Sequence, residues 1–147
     1  MSAENQTYIK PVATAFGTTK EEFYSWLFGD YALKASVMTH RLMQVMCKEY
    51  CGDVTWQGYM VFEDCGFIFP KCDQSFKLEW PLNYYSGRVS PQAAGIIVTI
   101  FVMQHCFETA VEYAHNEFAC RMMEAMDKLK DYAGTLPERE EIFKAIN

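Results

Sequence analysis

The sequence feature that most constrains the fold is the apolar run at residues 93–103, which follows Ser90 and Pro91 closely. Serine is a preferred helix N-cap and proline is favoured at the first helical position, so these two residues predict a helix start. The run is about eleven residues long, well short of the roughly 18 needed to span a bilayer. Because apolar groups surround the predicted helix, we expect a buried central helix and no membrane association.

The length and composition predict one folded domain. The chain has 147 residues, of which 50% are hydrophobic and 22% are charged. A chain of this length builds one core, and this composition excludes a largely disordered protein. Pro11 and Gly17 interrupt a first segment without helical periodicity. We therefore predict an extended N-terminal arm at residues 1–17 and a single domain at residues 18–147.

The charge of the chain argues against direct nucleic-acid binding. Its 13 Lys and Arg residues against 19 Asp and Glu residues give a net charge of -6. Binding to a duplex needs clustered basic residues that neutralise phosphates. A protein that mimics DNA would instead need a long acidic stripe, whereas the acidic residues here are interleaved with basic ones. We expect neither nucleic-acid binding nor mimicry of DNA.

Two helices are predicted before residue 54. Thr-Thr at 18–19 stands three residues before Glu-Glu at 21–22, which is the spacing of a capping box and predicts a helix start. Gly29 interrupts this helix. Asp30 is a candidate cap for a second helix, whose apolar face continues to about Tyr50.

From residue 54 the pattern changes from helical to alternating. Residues 54–62 alternate and are rich in β-branched and aromatic side chains, which predicts a strand. A hairpin turn at 63–66 leads to a strand at 67–69, and residues 76–80 supply a third strand, followed by a loop at 81–88. Strands joined by such short loops pair antiparallel. We predict an α+β fold, in which a small three-stranded antiparallel sheet packs with several helices.

The helical pattern that begins at Pro91 continues to about Ala133. We predict a break near His115 and Asn116, because an uncapped helix of about forty residues is unusual in a small domain. A short last helix is predicted to start at Pro137.

A metal site is one chemical interpretation of the third helical region. Four candidate ligands fall on one helical stripe: His105, Glu108, Glu112 and His115. Their spacing resembles half of a di-iron site, which needs a second Glu-x-x-His pair and two further glutamates on facing helices. His40, the remaining histidine, does not supply that pair, and a solvated helix face explains the same residues. We predict no metal and no other cofactor.

A thiol enzyme is the other catalytic interpretation. Among the six cysteines, we expect Cys65 on the predicted hairpin turn to be exposed. The chain has no P-loop, GxGxxG, GxSxG or HExxH motif, so no motif indicates the common nucleotide-binding or hydrolase chemistries. The N-terminal residues lack the pattern of a secretory signal, which predicts reduced thiols and a cytoplasmic location. We predict a protein that is not an enzyme, with a small metal- or thiol-dependent enzyme as the alternative.

Aromatic and charged side chains near the predicted strands indicate a surface for a protein partner. Tyr84, Tyr85 and Arg88 lie in the predicted loop, and exposed Tyr and Arg are enriched at protein interfaces. Local packing is the other interpretation of these aromatic residues. With the hairpin turn and the acidic last helix, the candidate surface comprises Glu63, Asp64, Cys65, Gly66, Tyr84, Tyr85, Arg88, Glu138 and Glu141.

Four segments, taken in order, resemble motifs of the ArdB/KlcA antirestriction family. They are LFGDYAL at 27–33, CGFIFP at 65–70, YSGRVSPQAAGIIVTIF at 85–101 and LPEREEIFKAIN at 136–147. The third is the most specific, because it resembles the family's F-S-G-x-x-S-x-x-A-A-G-I-x-x-T-x-F stretch. Residues that match family motif positions are Gly66, Phe67, Pro70, Ser86, Gly87, Ser90, Ala93, Ala94, Gly95 and Thr99. Structural roles in turns, caps and close helix packing explain these residue types.

The resemblance implies a small bacterial protein of plasmids and other mobile elements that inhibits type I restriction endonucleases without mimicking DNA. Its implied partner is the type I restriction-modification complex or an associated factor. The chain departs from the family at Asp53 and Val54, where Gly-Tyr is typical, and this departure bears on the range of targets. The restriction system and the oligomeric state stay open. A diverged scaffold with another mobile-element role is a further alternative.

Overall fold

The computed structural model describes residues 14–15 and 19–147, and it confirms the α+β class. The strands are β1 (Thr14–Ala15), β2 (Thr55–Phe62), β3 (Cys65–Lys71), β4 (Phe76–Trp80) and β5 (Tyr85–Val89). The helices are α1 (Lys20–Phe28), α2 (Ala32–Met46), α3 (Pro91–Glu112), α4 (Asn116–Ala133) and α5 (Arg139–Ile146). A 3-10 turn, Gly29–Tyr31, joins α1 to α2. The predicted arm at residues 1–17 lies outside the described residues apart from β1.

Helix α3 is the centre of the fold, as the apolar run predicts. Ser90 caps it, because its Oγ accepts a hydrogen bond from the Ala93 N–H at 3.1 Å. The helix packs against β3 and against helices α2, α4 and α5. It is long and apolar enough to cross a membrane, but most of its apolar length is buried inside the fold, as in the core helix of a soluble protein.

Close packing of α3 on β3 depends on a glycine. A Cβ at Gly95 would lie 2.6 Å from Phe69 Cα, and closer still to the Ile68 carbonyl oxygen. Any larger residue would therefore push the helix away from the strand backbone. This contact gives a physical reason for the small residues that follow Ser90 in the motif.

Thr99 supplies hydrogen-bond partners for backbone groups of β3 on the side that faces α3. Its Oγ1 accepts a hydrogen bond from the Ile68 N–H at 3.2 Å and lies 3.4 Å from the Ile68 carbonyl oxygen. Thr99 is fully buried, so no water competes for these groups. A side chain of the central helix thus takes the place of a neighbouring strand.

The predicted three-stranded sheet is wrong in its strand pairing. Strands β2 and β3 form the predicted hairpin, with Thr55 opposite Lys71, and β1 pairs with the other edge of β2. Strand β4 instead pairs with β5 in a separate two-stranded sheet, with Phe76 opposite Val89. Strand β5 occupies the second half of the segment predicted as a loop. Ser, Gly and Arg at its centre are poor strand formers and obscure its buried ends, Tyr85 and Val89.

The predicted helix starts are only partly confirmed. The capping box is present, because Thr19 Oγ1 accepts from the Glu22 N–H at 3.2 Å and Glu22 Oε1 accepts from the Thr19 N–H at 3.1 Å. The predicted cap at Asp30 is wrong, since that residue lies in the 3-10 turn and α2 follows Tyr31 without a side-chain cap. Helix α2 also ends at Met46, earlier than predicted.

The predicted break in the long helical region is confirmed. Helix α3 ends at Glu112 and α4 begins at Asn116, with Ala114 between them in the left-handed region at φ 61°. The last helix begins at Arg139, two residues later than predicted. The break between α3 and α4 places the N-terminus of α4 beside the 3-10 turn. There the Tyr31 ring stacks on the Phe118 ring, with centroids 4.2 Å apart.

Candidate functional site

The turn between β4 and β5 exposes two large apolar side chains. Leu82 is 80% exposed and Tyr84 is 91% exposed. Tyr84 has a φ of 60°, a left-handed conformation that a bulky residue rarely adopts. Such a conformation persists only where the surrounding structure holds it. We call residues 82–84 the apolar turn.

Asn83 holds the apolar turn in place. Its Nδ2 donates to the Ala145 carbonyl oxygen of α5 at 2.7 Å, and its Oδ1 accepts from the Tyr85 N–H at 3.1 Å. The side chain thus ties the turn to the C-terminal carbonyls of α5, which lack partners within their own helix. The sequence pattern had not singled out Leu82 or Asn83 as functional, and a Leu-Asn pair after a proline gives no signal beyond a turn.

Below the apolar turn, Tyr85 joins β5 to α5. Its hydroxyl donates to Glu141 Oε1 at 2.8 Å, and burial together with this carboxylate raises the pKa of Tyr85. A Cβ at Gly87 would lie 2.9 Å from Tyr85 Cζ and closer still to Glu141. Gly87 therefore leaves room for this hydrogen bond.

Glu138 joins the last helix to the cap of the central one. Its Oε2 accepts from the Ser90 N–H at 2.8 Å, and its Oε1 accepts from the Ser90 hydroxyl. A carboxylate at the N-terminus of α3 also complements the positive end of the helix dipole. Two of the motifs, at 85–101 and at 136–147, are thus joined in space by Ser90 with Glu138 and by Tyr85 with Glu141. We call these two contacts the latch.

The structure divides the predicted partner surface into exposed and internal residues. Tyr84 is exposed as predicted, whereas the prediction for Tyr85 is wrong because its ring is buried. Glu138 and Glu141 are half-buried and form the latch. Their acidic groups therefore serve first to hold α5 on the fold.

Arg88 is exposed but engaged within the chain. Its Nη2 donates to Glu49 Oε2 at 3.0 Å, and its Nη1 contacts Ser75. The hydrogen bond from Arg88 lowers the pKa of Glu49, as does a hydrogen bond from the Lys77 N–H. This ion pair is open to solvent and fastens β5 to the turn after α2.

The hairpin turn packs on α4. Asp64 forms an ion pair with Lys128 at 2.7 Å, while Glu63 is exposed. Cys65 is fully buried, so the prediction of an exposed thiol there is wrong. Its Sγ donates to the Ala125 carbonyl oxygen at 3.2 Å, and burial raises the pKa of the thiol to about 12. A protonated, buried thiol is not a nucleophile at neutral pH.

Gly66, the last member of the hairpin turn, is buried too. A Cβ there would lie 3.1 Å from the Tyr59 carbonyl carbon and closer to its oxygen. The close approach of β2 and β3 therefore explains why a glycine occupies this motif position.

The four candidate metal ligands do not form a site. Among residues 14–15 and 19–147, no group of three or more His, Cys, Asp or Glu side chains is placed to hold a metal ion. Helix α3 ends at Glu112, so His115 leaves the stripe shared by His105 and Glu108. Glu108 accepts from Gln104 at 2.9 Å, and His115 Nδ1 bonds the Tyr31 hydroxyl at 2.7 Å.

An open cleft of about 690 Å³ lies at that Tyr31–His115 contact. Its lining residues are Gly29, Asp30, Tyr31, His115, Asn116, Glu117, Phe118 and Arg121. Arg121 lies over the Phe118 ring at 5.3 Å and donates to the Leu27 carbonyl oxygen at 3.2 Å. Acidic, basic and aromatic side chains thus line the cleft together. The sequence signals for this cleft were the FGDY segment, which is part of a family motif, and the predicted break near His115, but neither signal indicated that the two segments meet.

Known proteins resemble this chain in both sequence and structure. The family described as Antirestriction protein matches residues 48–147. The antirestriction protein KlcA of Escherichia coli is 24% identical over 115 residues, which is 78% of each chain. The protein YubI of Escherichia coli (strain K12) is 33% identical over 97 residues, which is 65% of this chain and 67% of YubI.

A solved structure of the KlcA and ArdB proteins, described as a novel fold, has a TM-score of 0.73 with this chain at 22% identity. The match covers 92% of this chain and 96% of the other, which shows a shared fold. The family match includes strands β2 to β5, the central helix and the latch, and so it spans the elements that carry the candidate surface. The chain belongs to the ArdB/KlcA antirestriction family.

Proposed function

We propose that this protein protects unmodified DNA from type I restriction by binding a protein, either the restriction-modification complex or a factor associated with it. Membership of the antirestriction family supports the class of activity. The KlcA and ArdB proteins have antirestriction activity against type I DNA restriction systems in vivo but not in vitro. Activity that is seen only in cells favours a route through a cellular protein over direct shielding of DNA.

The observation that carries the proposal is the apolar turn. Two large side chains stand in solvent on a backbone that Asn83 and α5 hold fixed. A rigid, exposed Tyr beside an exposed Leu binds a protein pocket without a further entropic cost of ordering the loop. Tyr84 is therefore the proposed anchor, with Leu82 beside it.

The charge distribution supports a mechanism other than DNA mimicry. The net charge of -6 is modest, and Asp64 and Glu49 are paired with Lys128 and Arg88. A duplex surface would instead present about one unpaired charge per 1.7 Å. We further propose that the protein is not an enzyme and that it acts in the bacterial cytoplasm, where restriction occurs, as part of a mobile element.

Plating of unmodified phage on cells with a type I restriction system tests this function. Expression of the wild-type chain should restore plating while methylation of the phage DNA continues. The Leu82→Ser, Tyr84→Asn double variant should lose that protection, because asparagine keeps the left-handed backbone but removes the ring. Met123→Ser changes an exposed residue of α4 and serves as the matched control.

Three results would count against the proposed function or the proposed contact. Wild-type protein that is soluble but rescues no type I system would refute the function. Full protection by the double variant would refute the apolar turn as the contact while leaving the function in place. Equal loss in the Met123→Ser control would show that general destabilisation, not a lost contact, explains the effect.

A further inference from the structure

Helix α2 presents a solvent face with an unusual composition for this acidic chain. Its fifteen residues include no Asp or Glu. The exposed residues of the helix are Leu33, Lys34, Val37, Arg41, Gln44 and Val45. At 100° per residue they all lie within an arc of about 120°. One continuous face of α2 is thus cationic and aliphatic within a protein of net charge -6.

The cations on this face have no anionic partner within the described part of the chain. Ion pairs there join Lys77 to Glu79, Arg88 to Glu49 and Lys128 to Asp64, and none involves α2. Lys34 and Arg41 are seven residues apart, which is about 10 Å along a helix. Lys48, which is exposed in the turn after α2, lies seven residues after Arg41.

Aliphatic side chains lie on both sides of this row of cations. Leu33 is 80% exposed, and Val37 and Val45 are exposed as well. Leu33 and Val37 stand four residues apart, as do neighbouring residues on the seam of a helix pair. Cations that repeat every seventh residue beside such a seam occupy the flanking positions that select a partner helix by charge.

We infer that the exposed face of α2 is a docking surface for an acidic amphipathic helix of another protein. Carboxylates spaced at seven residues on that helix would face Lys34 and Arg41, and its aliphatic stripe would cover Leu33 and Val37. Nucleic acid fits this face less well, because exposed aliphatic residues gain nothing from phosphate and the net charge of the protein opposes it. The inference concerns a different element from the apolar turn and does not depend on the proposed antirestriction mechanism.

Fluorescence anisotropy with two synthetic helices tests the inference. The first probe carries glutamates seven residues apart beside a leucine stripe, and the second carries lysines at the same positions. The full-length protein should bind the acidic helix at least about tenfold more tightly than the basic one. Lys34→Glu, Arg41→Glu should lower affinity for the acidic helix about tenfold. Higher salt should also weaken binding, because exposed charges are screened.

Lys71→Glu provides the matched control, since Lys71 is an exposed lysine at the end of β3. Its affinity for the acidic helix should equal that of the wild type, and circular dichroism should show that all variants are folded. Equal binding of both probes, or equal weakening by Lys71→Glu, would overturn the inference. So would tighter binding of a labelled DNA duplex that depends on Arg41. A dimer of the chain that Arg41→Glu abolishes in sedimentation would identify a second copy as the occupant and overturn it too.

Discussion

Replacing Thr99 with valine should destabilise the fold by about 2 kcal/mol, although the two side chains have nearly the same shape. The substitution removes the hydroxyl that accepts from the Ile68 N–H at 3.2 Å. It leaves that N–H buried without a partner, because Thr99 is only 1% exposed and water has no access. A buried donor left in this state costs about 1–3 kcal/mol, and the added methyl group offsets a small part of it.

Urea denaturation followed by circular dichroism measures this loss. With a slope of about 2 kcal/mol per molar urea, the midpoint should fall by about 1 M at unchanged slope. Thr109→Val makes the same chemical change in the same helix, where the hydroxyl donates only to the His105 carbonyl oxygen one turn away. We expect a loss below about 0.5 kcal/mol there. Equal midpoints for the two variants would refute the role assigned to Thr99.

Three further predictions concern packing, the latch and pH. Gly95→Ala should cost about 2 kcal/mol or more, because its Cβ meets the β3 backbone; an unchanged melting temperature would contradict this. Glu138→Gln should cost about 1–2 kcal/mol, whereas Glu140→Gln on the exposed side of α5 should leave the urea midpoint unchanged. Burial raises the pKa of Cys65 from its ordinary value of 9.0 to about 12, so the contribution of this buried thiol to stability is complete below that ordinary value and is lost as the pH rises towards 12. The Cys65→Ala variant should therefore lose less stability than the wild type as the pH rises towards 12, and the urea midpoint measured at each pH reports that loss.

Features set by neighbouring residues were predictable from the sequence. The cap of α3 needs only Ser90 followed by Pro91, and the capping box needs only Thr19 with Glu22, so both are local. The central position of α3 followed from its apolar surface, since only a buried helix tolerates one. The break at Ala114 followed from helix length alone.

Features set by distant contacts were not predictable in the same way. The pairing of β4 with β5 depends on burying Tyr85 and Val89, and the intervening Ser, Gly and Arg mask that pattern. The inward direction of Tyr85 depends on Glu141, which is 56 residues away. Cys65 was expected on an exposed turn, but α4 covers it from a position 60 residues later. A single sequence records the residues of such contacts without recording that they meet.

The latch has a consequence for the synthesis of this protein on the ribosome. Ser90 receives the carboxylate of a residue 48 positions later, and the apolar residues Ile142 and Ala145 of the same late helix are fully buried. While that segment is still inside the ribosome, the central helix lacks part of its cap, and an apolar surface remains open to water. The growing chain therefore passes through a stage in which it is prone to aggregation. The fold is therefore completed only after α5 has been translated.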